Sequence, residues 1–266
     1  MSENGKIIAV CNNKGGVGKT TLATNLSHAF SNLNKSVLVV DLDSQCNATS
    51  LLLKQGFAKT SLYDLFNDPG MPIESAIYAT EYEQVKLLPN VEETSALELE
   101  LLEMKGLQQS FKILRERLRD YAVNKFDYVI LDTPPNMGFF VISALHASDF
   151  VIVPVLAGSA YSVEGLSRAI ALITNIQGTS NPDLKFLRLL VNAVDMRTSM
   201  SRVSLRILAE SFGEESIFKT TIPVSAAFQQ AEHFKKSVIR HAPKTAGARA
   251  YRELALEIED ILNSKE

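Results

Sequence analysis

Apolar residues along the 266-residue chain gather into two kinds of run. Five runs are short, unbroken and rich in β-branched residues: KIIAVC (6–11), SVLVVDLD (36–43), YVILD (128–132), FVIVPV (150–155) and FLRLLVN (186–192). They do not alternate apolar with polar positions, which is how strands buried on both faces of a parallel sheet read. VKLLP (85–89) and SIFKTTIP (216–223) are weaker strand candidates. Between these runs, helical periodicity marks 20–32, 95–122, 138–147, 163–176, 199–212 and 247–263. Strands alternating with helices predict right-handed βαβ units. The expected fold is α/β: a doubly wound, mostly parallel sheet flanked by helices, in a single domain spanning 1–266. Segments 54–60 and 178–185 are loops too short to divide it.

Composition changes this picture little. The chain is 46% hydrophobic and 21% charged, ordinary for a globular protein. No apolar run reaches the ~18 residues of a transmembrane helix, and the first residues lack a signal-peptide pattern, so a cytoplasmic protein is expected. The two cysteines, Cys11 and Cys46, form no CxxC and read as reduced thiols rather than a metal or cluster site. His28, His146, His233 and His241 read as packing or surface residues rather than ligands.

Charge is unevenly spread. Residues 185–252 hold twelve Lys/Arg against five Asp/Glu, a net of +7, which leaves −10 for the rest of a chain whose total is −3. An acidic body with a basic C-terminal quarter can meet a polyanion through one face.

The chemistry sits in GGVGKT (15–20), which follows the first strand and opens the first helix. That is the context of a phosphate-binding P-loop. Gly15, Gly16 and Gly18 let backbone N–H groups converge on phosphate oxygens, and the helix start adds partial positive charge. In such a loop Lys19 reaches the β- and γ-phosphates, the Thr20 hydroxyl coordinates Mg²⁺ and Thr21 bonds the α-phosphate. Asp132 ends another strand, where a carboxylate holds Mg²⁺ or its water. Asp41 and Asp43 end a third, spaced i, i+2 and so aimed at the crevice where open α/β sheets bind ligands. One of the two can hold the metal's water shell or Lys19 while the other orients the attacking water. Asn192 opens NAVD, a near miss to the guanine-reading NKxD that lacks its lysine.

These residues together resemble the ParA/MinD class of P-loop ATPases. KGGVGKTT (14–21) is similar to its deviant Walker A motif, with Lys14 at the signature position. DLDSQCNAT (41–49) resembles switch I, with Ser44 for the usual proline and Cys46 for glycine. ILDTPPNMG (130–138) resembles Walker B and switch II, and FVIVPVLAGSAYSVEGL, VNAVDMRTSMS and KTTIPVSAAFQQA resemble later segments on the nucleotide face. The likeness runs from about residue 6 to 260.

The resemblance implies an ATPase using ATP and Mg²⁺. Nucleotide-binding residues would be Lys14, Gly15, Gly16, Val17, Gly18, Lys19, Thr20 and Thr21, with Asn192 on the base edge and Pro223 packing on the ring. The metal set would be Thr20, Asp132 and Asp43, and the catalytic set Lys14, Lys19 and Asp43. It further implies a homodimer sandwiching two ATP molecules, in which Lys14 reaches across to the partner's nucleotide. A cation supplied in this way stabilises the charge developing in phosphoryl transfer and makes hydrolysis depend on dimerisation.

Three functions could use such an engine. An iron–sulfur carrier is disfavoured, since both cysteines lie inside nucleotide motifs. A MinD-like ATPase would bind membrane through its last helix, but YRELALEIEDILNSKE is acidic and anionic lipid would repel it. A ParA-type positioning ATPase would bind DNA without sequence preference, and the basic quarter supports it. Arg202, Arg206, Lys235, Lys236, Arg240, Lys244 and Arg249 are its candidate DNA contacts. The expected partners are DNA and a ParB-like or adaptor protein that stimulates slow hydrolysis, on the nucleoid and without membrane. The reading gives no N-terminal helix-turn-helix domain, so the resemblance is to the short members.

Overall fold

The computed structural model describes residues 5–54, 58–97, 100, 107–158 and 162–264. Seven strands form one sheet: β1 (Lys6–Val10), β2 (Val37–Asp41), β3 (Tyr78–Ala79), β4 (Val85–Leu88), β5 (Tyr128–Asp132), β6 (Phe150–Leu156) and β7 (Lys185–Asn192). Their order is β3-β4-β2-β5-β1-β6-β7, parallel throughout except for the β3–β4 pair. The helices are α1 (Lys19–Ser31), α2 (Asn47–Leu52), α3 (Leu62–Asn67), α4 (Ile113–Lys125), α5 (Phe139–Ala147), α6 (Ser162–Thr179), α7 (Ser199–Phe212), α8 (Ala226–His233), α9 (Val238–His241) and α10 (Ala246–Asn263).

Both faces of the sheet are buried, which accounts for the unbroken apolar runs. Alternate residues of each strand serve opposite cores. Ile7, Ala9, Leu38, Val40, Val129 and Leu131 meet the side formed by α3, α4, α5 and α6. Ile8, Val10, Val37, Val39 and Ile130 meet Leu22, Leu26 and Phe30 of α1 and Tyr251, Leu254 and Ile258 of α10.

Register places the chemistry at one edge. Val10 and Asp41 both pair with Asp132, so three strands deliver their motifs to the same C-terminal end of the sheet. The position is the one where doubly wound sheets bind ligands.

The five strong strand runs form strands with ends within two residues of expectation, and 85–89 forms β4. Segment 216–223 does not form a strand. Its pairing with β7 and the residues after it is limited to isolated bridges, Leu189–Ile217 and Val194–Pro223, while Phe218 and Ile222 are buried in the core. Its Lys219 and Thr220 N–H groups donate instead to the Glu257 carboxylate of α10, at 2.8 and 2.9 Å. The 95–122 helix falls partly outside the described residues; within them a short helical turn at Leu107–Ser110 precedes α4. The short helices α2, α3, α8 and α9 are additions to the sequence reading.

Candidate functional site

Between the end of β1 and the start of α1 the chain arcs back on itself through Gly16 at φ +71° and Gly18 at φ +90°. Both lie in the left-handed region that glycine enters without cost. At Gly18 close approach adds a second reason: a Cβ there would sit 2.8 Å from Asn192 Nδ2. Asn12 fixes the front of the loop. Its Nδ2 donates to Pro154 O on β6 at 2.8 Å, and its Oδ1 accepts from Lys14 N–H at 3.0 Å. Sequence reasoning passed over Asn12, although it stands inside the CNNKGG run. The first turn of α1 carries no acidic residue and no side-chain cap, so its unsatisfied N–H groups face an anion site.

Lys19 is buried inside the arc, its Nζ donating to the carbonyls of Asn12 and Lys14 at 3.2 Å each. Burial lowers its pKa, and the charges of Asp132 and Asp43 partly restore it. Lys14 is half-buried at the loop front and does not line the cavity described below.

The carboxylates divide the labour that the sequence left open. Asp41 is fully buried and engaged at both oxygens: Oδ1 accepts from Asp43 N–H at 3.1 Å, and Oδ2 accepts from the Thr49 N–H and hydroxyl at 2.8 and 2.7 Å. Burial pushes its pKa up to about 6, the Thr49 bonds opposing the rise. Asp41 therefore braces the turn between β2 and α2, while Asp43 lines the cavity beside Lys19 and Thr20. Within that turn Cys46 adopts φ +54°.

Asp132 is fully buried, with no hydrogen-bond partner for either carboxylate oxygen. Burial, then the Asp41 charge, raises its pKa well above the carboxylate range, and the neighbouring Thr20 hydroxyl and Lys19 ammonium pull it back. An orphaned buried carboxylate beside a hydroxyl fits a divalent cation. Among the described residues no group of three or more His, Cys, Asp or Glu is placed to hold a metal. Mg²⁺ takes one or two protein ligands and completes its shell with water and phosphate oxygens, so Asp132 and the Thr20 hydroxyl would be enough to hold it.

Two cavities meet at Gly16, Gly18, Thr21 and Phe228. The first, about 500 Å³, is lined by Gly15, Lys19, Thr20, Asp43 and Pro135 and, across from them, by α8 and the turn after it. The second, about 320 Å³, is lined by Val17, Asn192, Pro223 and Val224. Asn192 Nδ2 donates to Val17 O at 2.7 Å, and its buried Oδ1 has no partner. The Val194–Pro223 bridge holds the Pro223 segment beside the end of β7.

The basic residues separate. Arg202 and Arg206 on α7, Arg240 on α9, and Lys244 and Arg249 are exposed, and none takes part in a salt bridge found among the described residues. Arg188 is spent on Glu257 at 3.1 Å and Arg197 on Asp195 at 2.8 Å. Lys235 and Lys236, grouped by sequence with the DNA contacts, are exposed as well and also line the first cavity. The turn that carries them is tied to α1 through Ser237 and Val238.

A protein-family model described as an AAA domain matches residues 5–186. The chain is 34% identical to the sporulation initiation inhibitor protein Soj of Bacillus subtilis, over 96% of this chain and 98% of that one. It is 38% identical to the chromosome-partitioning ATPase Soj of Thermus thermophilus, over 94% of each. A crystal structure of cobyrinic acid a,c-diamide synthase from Mycobacterium smegmatis, with bound ADP and magnesium, superimposes with a TM-score of 0.83 at 29% identity, covering 98% of this chain and 96% of that one. With its two-lysine phosphate loop, its carboxylates gathered at one sheet edge and this likeness over nearly the whole length, the chain belongs to the ParA/Soj family of P-loop ATPases.

Proposed function

We propose that the chain is a partition-type ATPase that dimerises on Mg²⁺·ATP, binds DNA without sequence preference, and releases it when a ParB-like partner stimulates hydrolysis. The loop amides and Lys19 hold the β- and γ-phosphates. Thr20 and Asp132 would hold Mg²⁺, which neutralises charge on the β- and γ-oxygens. Asp43, on the cavity wall, orients the attacking water. Asn192 Oδ1, a buried acceptor without a partner, meets an exocyclic amine of the base, which suits adenine, while Pro223 packs on the ring. Lys14, outside its own subunit's cavity, serves the phosphates of a second subunit.

The observation that carries the DNA reading is the set of exposed cations, Arg202, Arg206, Arg240, Lys244 and Arg249, left without a carboxylate partner among the described residues. Such cations bind phosphates regardless of base, and a dimer doubles them. The membrane alternative is weakened by α10, whose Tyr251, Leu254, Ala255, Ile258 and Ile261 are buried against the body. No helix among the described residues is long and apolar enough to cross a membrane.

The test is sedimentation with DNA of unrelated sequences and with anionic liposomes, each with ATP and with ADP. Binding to all DNAs with ATP, falling steeply with salt and lost on reversing Arg202, Arg206 and Arg240 to Glu, is the expected result. Liposome binding without DNA binding would replace this reading with a MinD-like one.

A further inference from the structure

The turn after α8 holds a lysine where the backbone favours glycine. Lys235 has φ +51°, in the left-handed region that side chains with a Cβ seldom occupy. The helix closes there in a Schellman arrangement: Lys236 N–H donates to Ala231 O and Lys235 N–H to Glu232 O, each at 2.9 Å. The residue at that closing position is commonly glycine.

The turn is also pinned. Val238 N–H donates to Asn25 Oδ1 at 2.7 Å, Ser237 Oγ lies 2.6 Å from His28 Nδ1, and Ser237 N–H donates to Tyr82 OH at 2.8 Å. Asn25 and His28 belong to α1, so the turn is fixed against the flank of the phosphate-loop helix. From there Lys235 and Lys236 line the cavity that also exposes Lys19, Thr20 and Thr21.

Charge gives the pair a purpose. Without them the charged side chains lining the cavity are Lys19 against Asp43 and Glu232, a net of −1; with them the balance is +1. A site for a polyphosphate needs the second sign. Strain held at a ligand cavity, where glycine would relieve it, points to use of the side chain.

We infer that Lys235 and Lys236 form a cationic wall for the nucleotide's polyphosphate, acting within the same subunit and facing the phosphate loop. The inference rests on the cavity being the ATP site. The anchor points Asn25 and His28 lie roughly one and a half to two and a half turns into α1 from its start at Lys19. The wall therefore serves the α- and β-phosphates shared by ATP and ADP.

Isothermal titration with Mg²⁺·ATP, Mg²⁺·ADP and adenosine, together with thermal melting, tests this. Lys235→Gly should melt higher than wild type yet bind both nucleotides about fivefold more weakly, and Lys235/Lys236→Gly/Ala about tenfold or more. Lys235→Arg should restore the affinity without the gain in stability, and adenosine binding should not change. If Lys235→Gly and the double variant bind Mg²⁺·ADP as wild type does, the wall does not exist. A loss confined to ATP would overturn the assignment to the shared phosphates. Wild-type protein that binds neither nucleotide would overturn the ATP site itself, and this inference with it.

Discussion

The side-chain amide of Asn192 donates to the carbonyl of Val17 at 2.7 Å, bonding the end of β7 into the phosphate loop 175 residues earlier. Gly18 permits that bond, since a Cβ would stand 2.8 Å from the same nitrogen. Gly18→Ala adds both this clash and an alanine at φ +90°. It should cost about 1–3 kcal/mol of stability and at least tenfold in nucleotide affinity. Melting curves and titration with a fluorescent ATP analogue would show it. Asn192→Leu should keep the fold better and still lose affinity.

On the proposed trans role, Lys14→Ala should bind ATP yet lose both the ATP-dependent dimer and hydrolysis. Size-exclusion chromatography with ATP is the check. A normal dimer in the variant would remove the trans role.

Three substitutions separate the roles at the phosphates. Asp43→Ala should retain ATP and the dimer while turnover stops. Lys19→Ala should weaken nucleotide binding by roughly tenfold or more, as loss of a charge-assisted bond implies. Asp132→Asn mimics the protonated carboxyl that burial favours, so the empty protein should melt much as before while the Mg²⁺ concentration for half-maximal activity rises. Wild-type turnover in Asp43→Ala would unseat the water-orienting assignment.

Cys46 occupies φ +54°, a conformation costing about 1–2 kcal/mol for a residue with a Cβ. Cys46→Gly should therefore stabilise the protein by about 1 kcal/mol, and Cys46→Val should destabilise it by at least as much. Chemical denaturation of the two variants would check the opposite signs.

His28 has its pKa lowered to about 4, by burial first and then by Arg240 and Arg252. The folded state holds it neutral, while the unfolded chain takes up its proton below about 6.5. Its stabilising contribution is thus present above that pH and is lost as the pH falls toward 4. His28→Phe keeps a ring against Tyr82, where the native rings stack at 4.0 Å, but cannot titrate. The wild type's advantage in melting temperature over this variant should shrink by a few degrees between pH 7.5 and pH 5. An advantage constant across that range would contradict the burial argument.

Long-range order was legible where the signal was dense. Unbroken runs such as 128–132 marked strands because a sheet covered on both faces leaves no polar positions to alternate. The P-loop was legible because its spacing is itself the geometry. Asn12, by contrast, works through Pro154, 142 residues away, and a single polar residue carries no periodicity to reveal such a partner. The same holds for Asp41, whose Oδ2 is taken by the Thr49 N–H and hydroxyl and whose Oδ1 is taken by the Asp43 N–H, partners that the DxD spacing alone does not reveal. Lys235 and Lys236 belonged to a basic stretch by count alone. Only the turn after α8, built from backbone bonds, decides which way they face.

Packing of α10 on α1 has a consequence for biosynthesis. Leu22, Leu26 and Phe30 of the phosphate-loop helix share a core with Tyr251, Leu254 and Ile258. A ribosome that has delivered every nucleotide motif still holds back the surface that seats α1. The nascent chain therefore holds α1 with one side of its core uncovered until α10 emerges, and a product cut short before α10 should bind nucleotide poorly rather than act as an unregulated ATPase.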